Sequence, residues 1–250
     1  MENQFKFKIA DFLFKHFYLL YKPLYFLFKK RQDAHELELL KKLIKPGDTV
    51  IDIGANIGFY CRYLSECVGV KGKVYAFEPD KLNFERLKAN TKNRNNVEVF
   101  NKAVASKSET LKLYTSPLLN VDHRTFPIED ASASYEVEAV SIDEFLNNSF
   151  GVNFIKMDIQ GFEYFALQGM QQTLLNNPSI KILMELSPVA MKKAGVSTET
   201  LFKWIEEKKL LIFFIEGNEL SMVNDNFKNR VNSFSNELQF ENIVLTNQPL

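Results

Sequence analysis

Val50-Ile51-Asp52-Ile53-Gly54-Ala55-Asn56-Ile57-Gly58 is the stretch on which the fold turns. Thr49 to Ile53 reads as a short apolar strand, and Phe59 to Val68 as a helix that stops at Gly69. Between them, Gly54 and Gly58 allow a tight turn and a close approach of backbone to a ligand. Asn56 stands where glycine is often found, and Asn is among the residues that tolerate a left-handed backbone. A turn of this kind at the carboxyl end of a parallel strand is where open α/β sheets bind ligands.

The same strand, turn and helix alternation continues outward. Lys73 to Phe77 is a second strand, Asp80 to Asn90 a helix and Val97 to Phe100 a third strand. Phe154 to Met157 and Ile180 to Leu186 are further apolar strands, with a helix predicted over Glu163 to Leu175 between them. Leu211 to Ile215 and Ile243 to Leu245 read as strands separated by an Asn-rich loop. Near-continuous apolar strands alternating with helices imply an α/β fold of the Rossmann-like, doubly wound type, a mostly parallel sheet covered on both faces. Residues 107–141 interrupt the pattern, with Leu111–Tyr114 and Tyr135–Val140 alternating as half-exposed strands.

Glu78 closes the second strand, twenty residues beyond Gly58. There it can accept hydrogen bonds from both ribose hydroxyls of an adenosine-type cofactor. A Gly-rich turn or a lone Glu means little by itself; at this spacing in two successive βα units they point to one ligand. The turn is not G-x-G-x-x-G. Asp52 sets a carboxylate beside it, which repels a pyrophosphate and attracts a sulfonium or an ammonium. That favours S-adenosylmethionine over NAD, with Asp52, Gly54, Asn56, Gly58 and Glu78 as the cofactor-binding set. Asn101, ending the third strand, is placed toward the adenine.

A further signal is Ile155-Lys156-Met157-Asp158-Ile159-Gln160-Gly161-Phe162-Glu163. Asp158 ends its strand at the same rim as Gly54 and Glu78, with helix N-cap as its ordinary alternative. Glu163 opens the next helix, where the macrodipole favours a carboxylate with no chemistry at all. Lys156 lies in an apolar strand and must reach a partner or the rim, because a lone buried ammonium is costly.

The run from Val50 to Pro188 resembles the FkbM family of S-adenosylmethionine-dependent methyltransferases. The resemblance is carried by Asp52-Ile-Gly-Ala-Asn-Ile-Gly58, Phe77-Glu78-Pro79, Val140-Ser-Ile-Asp143-Glu-Phe, Ile155-Lys-Met-Asp-Ile-Gln-Gly-Phe-Glu163 and Met184-Glu185. Gln160 stands where the family more often has Glu, and Phe162 where it often has His. The resemblance implies a class I methyltransferase sheet of seven strands, the last antiparallel. It also implies methylation of a hydroxyl on a sugar, a glycan or glycolipid, or a polyketide-type acceptor.

A hydroxyl acceptor must lose its proton, so a base or a metal is expected. Asp158, Glu163 and Glu185 near the rim are candidates to act as base or to hold a divalent cation such as Mg. His123 is the other candidate base; it lies in the 107–141 insertion between Asp122 and Arg124, where a lone His is ordinarily just solvated. Two competing classes stay open: an NAD-linked oxidoreductase, and a non-catalytic binding module that keeps the cofactor fold.

Composition narrows the partners. The 250 residues carry 31 basic and 31 acidic side chains, so nucleic acid is not the expected partner. Cys61 and Cys67 lack metal-ligand spacing, which fits a reducing, cytoplasmic setting. Residues 46–250 form the expected catalytic domain. Residues 1–45 form a helical extension in which aromatic and basic residues interleave, with Pro23 as a break and a second helix over Asp33 to Ile44. No stretch is long and apolar enough for a membrane span. The extension either packs on the domain or on a second subunit of a homo-oligomer, or makes an amphipathic surface that brings residues 1–30 to a membrane or a partner protein.

Overall fold

The computed structural model describes residues 10–115, 123–127, 133–147, 151–217 and 219–249. Phe5, Lys6, Phe7 and Lys8 of the aromatic extension and Asp122 of the insertion lie outside the described residues.

Helical residues 10–16 (α1), Tyr18–Gln32 (α2) and Ala34–Leu43 (α3) come first. The alternating body follows: β1 Thr49–Ile53, α4 Phe59–Val68, β2 Lys73–Phe77, α5 Lys81–Thr91 and β3 Val97–Phe100. β4 Ala103–Val104 precedes the insertion, which contributes β5 Glu109–Thr115 and β6 Ala133–Val140, and α6 Ile142–Leu146 follows it. The chain then returns through β7 Phe154–Met157, α7 Glu163–Gln168, α8 Gln171–Asn176, β8 Lys181–Leu186, α9 Pro188–Lys193 and α10 Thr198–Glu207. It ends in β9 Leu211–Glu216, β10 Glu219–Met222, α11 Asp225–Asn232 and β11 Glu241–Thr246.

The main sheet has the order β10-β9-β11-β8-β7-β1-β2-β3. β1 pairs in parallel with both β2 and β7, so the chain reverses its direction of travel across the sheet there. That switch point opens a crevice at the carboxyl ends of the strands. β11 is antiparallel to β8 and β9, as the family resemblance implies for the last strand. The sheet has eight strands rather than seven, because β10 folds back on β9 as an added edge hairpin. A three-stranded sheet, β4-β6-β5, stands apart from it.

Alternation along β1 sorts its side chains to two cores. Ile51 and Ile53 face a core built with α6 to α11, which includes Trp204. Val50 faces the core made with Leu40 of α3, Leu64 of α4 and Leu87 of α5. By the same period of two, Asp52 falls on the α3–α4 side.

Several expectations are corrected. Pro23 does not break the first helix; α2 runs through it, losing one hydrogen bond, and the interruption comes at Phe17 (φ −132°, ψ 48°). The helix expected over Glu163 to Leu175 is two, parted at Gly169. A Cβ on Gly169 would lie 2.1 Å from the Ala105 carbonyl oxygen, so the backbone just after β4 presses against this turn. α8 then restarts under the Asp143 carboxylate, which accepts from the backbone N–H groups of Gln172 and Thr173. The Asn-rich loop near the end contains α11, capped by Asn224 and held by buried Phe227 and Val231 one turn apart.

Candidate active site

A cavity of about 770 Å³ opens at the carboxyl rim of the sheet. Its floor is the turn after β1 with Glu78, Asp158 and Glu185, one wall is the insertion with Leu113 and His123, and α1 and α2 roof it with Phe14, Tyr21, Leu24, Tyr25 and Phe28.

The turn after β1 is shaped by contacts that glycine alone satisfies. Gly54 has φ +79°, and a Cβ there would lie 2.0 Å from the Asp158 carbonyl oxygen. Its N–H and that of Ala55 both donate to the Phe77 carbonyl, at 3.0 and 2.9 Å, tying the turn to β2. Asn56 takes φ +50° and donates its backbone N–H to Glu78 Oε2 at 2.8 Å. Glu78 Oε1 accepts from the Asp80 N–H at 2.9 Å. Burial pushes the Glu78 carboxyl up to about 8, against the lowering pull of those backbone donors. A carboxyl at the end of β2, lining the cavity beside the tight turn at Gly54, suits an adenosine ribose.

Four residues assigned to the site from sequence do not line the cavity. Asp52 is fully buried on the α3–α4 side of the sheet, and neither carboxylate oxygen has a hydrogen-bond partner. Burial raises its pKa to about 6, opposed by the charge of Lys156, its register neighbour on β7. Its influence on a ligand is therefore through the field and through Lys156, not through contact. Gly58 opens α4 with φ +87°, where a Cβ would lie 2.8 Å from Leu87 Cδ1; its lack of a side chain lets α4 pack against α5. The Asn101 side chain turns back and donates to the Glu78 and Pro79 carbonyls at 2.9 and 3.0 Å, which braces the end of β2. Glu163 accepts from the N–H groups of Ile159 and Gly161 at 3.0 and 2.9 Å and is 1% exposed. Burial raises its carboxyl to about 7. It holds the turn after β7 in shape.

The remaining rim residues converge. Asp158 Oδ1 accepts from Gln160 Nε2 at 2.8 Å, and the same amide lies 3.4 Å from Glu185 Oε1. Asp158 Oδ2 faces Lys156 Nζ at 3.2 Å. Burial opposes ionisation of Asp158, but the Lys156 ammonium and the Gln160 amide outweigh it and hold the carboxyl below its ordinary value. Burial and the neighbouring charges of Asp158 and Glu163 push Glu185 well above its own. Lys156 also lies 4.5 Å above the Tyr60 ring, and Tyr60 donates to Asp33 at 2.7 Å at the start of α3. Asp158 is not a helix N-cap; α7 begins five residues later.

His123 is not a solvated loop residue. Its side chain is 9% exposed, and Nε2 lies 3.6 Å from Asp80 Oδ2, which also accepts from Tyr135 OH at 2.6 Å. That puts its ring on the Glu78–Asp80 side of the cavity, apart from the Asp158–Gln160–Glu185 hydrogen bonds. The expected three-carboxylate cation site does not form: Glu163 is committed to backbone N–H groups, and an ammonium occupies one side of Asp158. Among the described residues no cluster of three or more His, Cys, Asp or Glu is disposed to hold a metal. Gln160 and the aromatic roof were missed from sequence. Gln160 shows no signal beyond its departure from the family pattern, whereas the run of Tyr and Phe at helical spacing in the extension did mark a face that had to be covered.

A solved structure assigned as an rRNA-methylase from Clostridium thermocellum is 11% identical to this chain, with 87% of this chain and 96% of that one aligned at a TM-score of 0.50. At that identity the likeness is one of fold. The Ribosomal RNA large subunit methyltransferase E of Wigglesworthia glossinidia brevipalpis is 42% identical over 48 residues, 19% of this chain and 24% of that relative. A switch-point crevice with a glycine turn after β1 and an acidic residue closing β2 suits an adenosine-type cofactor, and the family match makes the protein a class I S-adenosylmethionine-dependent methyltransferase. The model of the Methyltransferase FkbM domain matches residues 52–211, and the chain belongs to that family.

Proposed function

We propose that the protein methylates a hydroxyl oxygen on a sugar, a glycan or glycolipid, or a polyketide-type acceptor. The observation that carries this reading is the Asp158–Gln160–Glu185 string at the cavity floor. S-adenosylmethionine, when bound, supplies an electrophilic methyl carbon. Glu78 would hold its ribose, and Gly54 and Asn56 would pass along its methionine side. The acceptor oxygen forms the new O–C bond as the C–S bond breaks, and the hydroxyl proton must go to the protein. Glu185 is the stronger base of the two carboxylates, because burial and its negative neighbours raise its proton affinity. Asp158, kept ionised by Lys156, orients the hydroxyl by accepting a hydrogen bond. Positioning of this kind supplies several kcal/mol of the barrier reduction. An RNA acceptor, which the short match to the ribosomal RNA enzyme raises, is not favoured by a chain of zero formal net charge.

The test is the chemistry of the product. Methyl label transferred from S-adenosylmethionine is expected in a product stable to mild alkali, as an ether is, and Glu185→Gln is expected to slow its formation. Label released as methanol would mark a carboxyl ester and refute hydroxyl methylation.

A further inference from the structure

α2 has no buried residue, although nine of its fifteen residues are aromatic or leucine side chains. Its inner face is docked: the Arg86 guanidinium lies 3.8 Å from the Tyr18 ring centroid, and Tyr18 OH accepts from Asn90 Nδ2 at 2.6 Å. Its outer face is bare. At 3.6 residues per turn, Phe17, Leu20, Leu24, Leu27 and Phe28 fall within an arc of about 100°. They are 49%, 63%, 62%, 49% and 61% exposed. A contiguous apolar stripe of this kind marks a surface that meets something apolar.

Charge identifies what it meets. α2 carries Lys22, Lys29, Lys30 and Arg31 and no acidic residue. Lys29 is engaged by Asp33, while Lys30 and Arg31 are exposed at the end of the stripe. Two copies of this face set against each other would oppose like charges. A bilayer with anionic headgroups offers apolar depth and negative charge together. The stripe also contains the mouth of the active-site cavity, because Leu24 and Phe28 both line that cavity and stand open to solvent.

We propose that the outer face of α2 seats on an anionic lipid surface, and that the cavity takes its methyl acceptor from that surface as an amphiphile. The hydroxyl-bearing head reaches Asp158 and Glu185 while the apolar part stays against Leu24 and Phe28. This rests on the hydroxyl-methylation reading, which it narrows to membrane-borne acceptors.

Full-length protein is sedimented with vesicles of phosphatidylcholine alone and of phosphatidylcholine with phosphatidylglycerol. Binding to the anionic vesicles is expected, weakening as salt is added. Leu20→Glu with Leu27→Glu lies on the stripe outside the cavity lining, and is expected to weaken vesicle binding by more than about tenfold. Its melting temperature and S-adenosylmethionine affinity should stay at wild-type values, which shows that the fold and cofactor site are intact. Dodecyl maltoside below its micelle concentration should bind better than maltose, and Leu24→Glu should remove the difference. Failure of the intact protein to bind anionic vesicles at low salt overturns the proposal. So does a variant that binds them as wild type does, or a dimer in solution that the double substitution dissolves. In any of these cases an alkali-stable methylated product would leave the hydroxyl reading standing.

Discussion

Replacing Glu78 by Gln tests the cofactor assignment most directly, because the structure predicts a proton signature as well as a loss of affinity. Burial raises the Glu78 carboxyl to about 8, so at pH 7 about nine-tenths of the free protein holds a proton there. If the ribose hydroxyls are held by the carboxylate, cofactor binding at pH 7 expels about 0.9 of a proton from this group. Wild-type affinity should then rise roughly tenfold between pH 7 and 9. Gln keeps the volume but neither ionises nor accepts at both positions now facing the Asn56 and Asp80 N–H groups. Loss of a charged acceptor costs about 1.5 to 3 kcal/mol, a roughly ten- to hundredfold weaker complex at pH 9. Titration calorimetry in two buffers of different ionisation enthalpy measures affinity and proton release together. The cofactor's own amine contributes equally to both proteins, so the difference between them isolates Glu78. Equal affinity and equal proton release would refute the assignment. Stability offers an independent check. A carboxyl raised in the folded state contributes stability that is fully present below its unfolded value near 4.5 and is lost as pH rises through about 8. The apo protein should therefore lose about 1 kcal/mol per pH unit from this group between pH 5 and 7, and Glu78→Gln should flatten that slope.

Gly54→Ala forces a Cβ to 2.0 Å from the Asp158 carbonyl at φ +79°, so it should lower stability by at least about 2 kcal/mol and abolish cofactor binding; a thermal melt and a binding isotherm read both. Glu163→Ala leaves two backbone N–H groups of a buried turn without their acceptor and should cost about 2 to 4 kcal/mol in denaturant unfolding. A Glu163→Gln protein that is stable yet inactive would instead return Glu163 to a chemical role. Asp158→Asn should reduce kcat by about a hundredfold or more with little change in cofactor affinity, and wild-type turnover in that variant would remove Asp158 from the mechanism.

The sequence carried the fold because each strand of the alternating body announces itself locally. Thr49–Ile53, Lys73–Phe77, Val97–Phe100 and Phe154–Met157 are observed with the boundaries read from their apolar runs. Gly54 and Glu78, separated in the chain, marked the rim of the cavity because a tight turn and an acidic strand end are properties of a few adjacent residues. β10 and α11 escaped notice because β10 is a short, unburied strand defined only by its pairing with β9, and α11 buries just Phe227 and Val231, which no local pattern encodes.

What the chain by itself determined is thus the parallel strands of the sheet and the identity of the groups at its rim. Which of those groups face the cavity was decided only in three dimensions. Asp52 and Glu163 have the composition of site residues. Strand alternation turns the first into the sheet's α3–α4 side, and backbone N–H groups across a tight turn claim the second. Gln160 gained its place because a left-handed turn at φ +55° brings its amide between Asp158 and a carboxylate 25 residues further along the chain. The roof came likewise from distant sequence, once α3 and Arg86 fixed where the aromatic helix could lie. Chain order dictates local conformation through short-range sterics. The direction in which a side chain finally points depends on the packing of segments far apart in the chain.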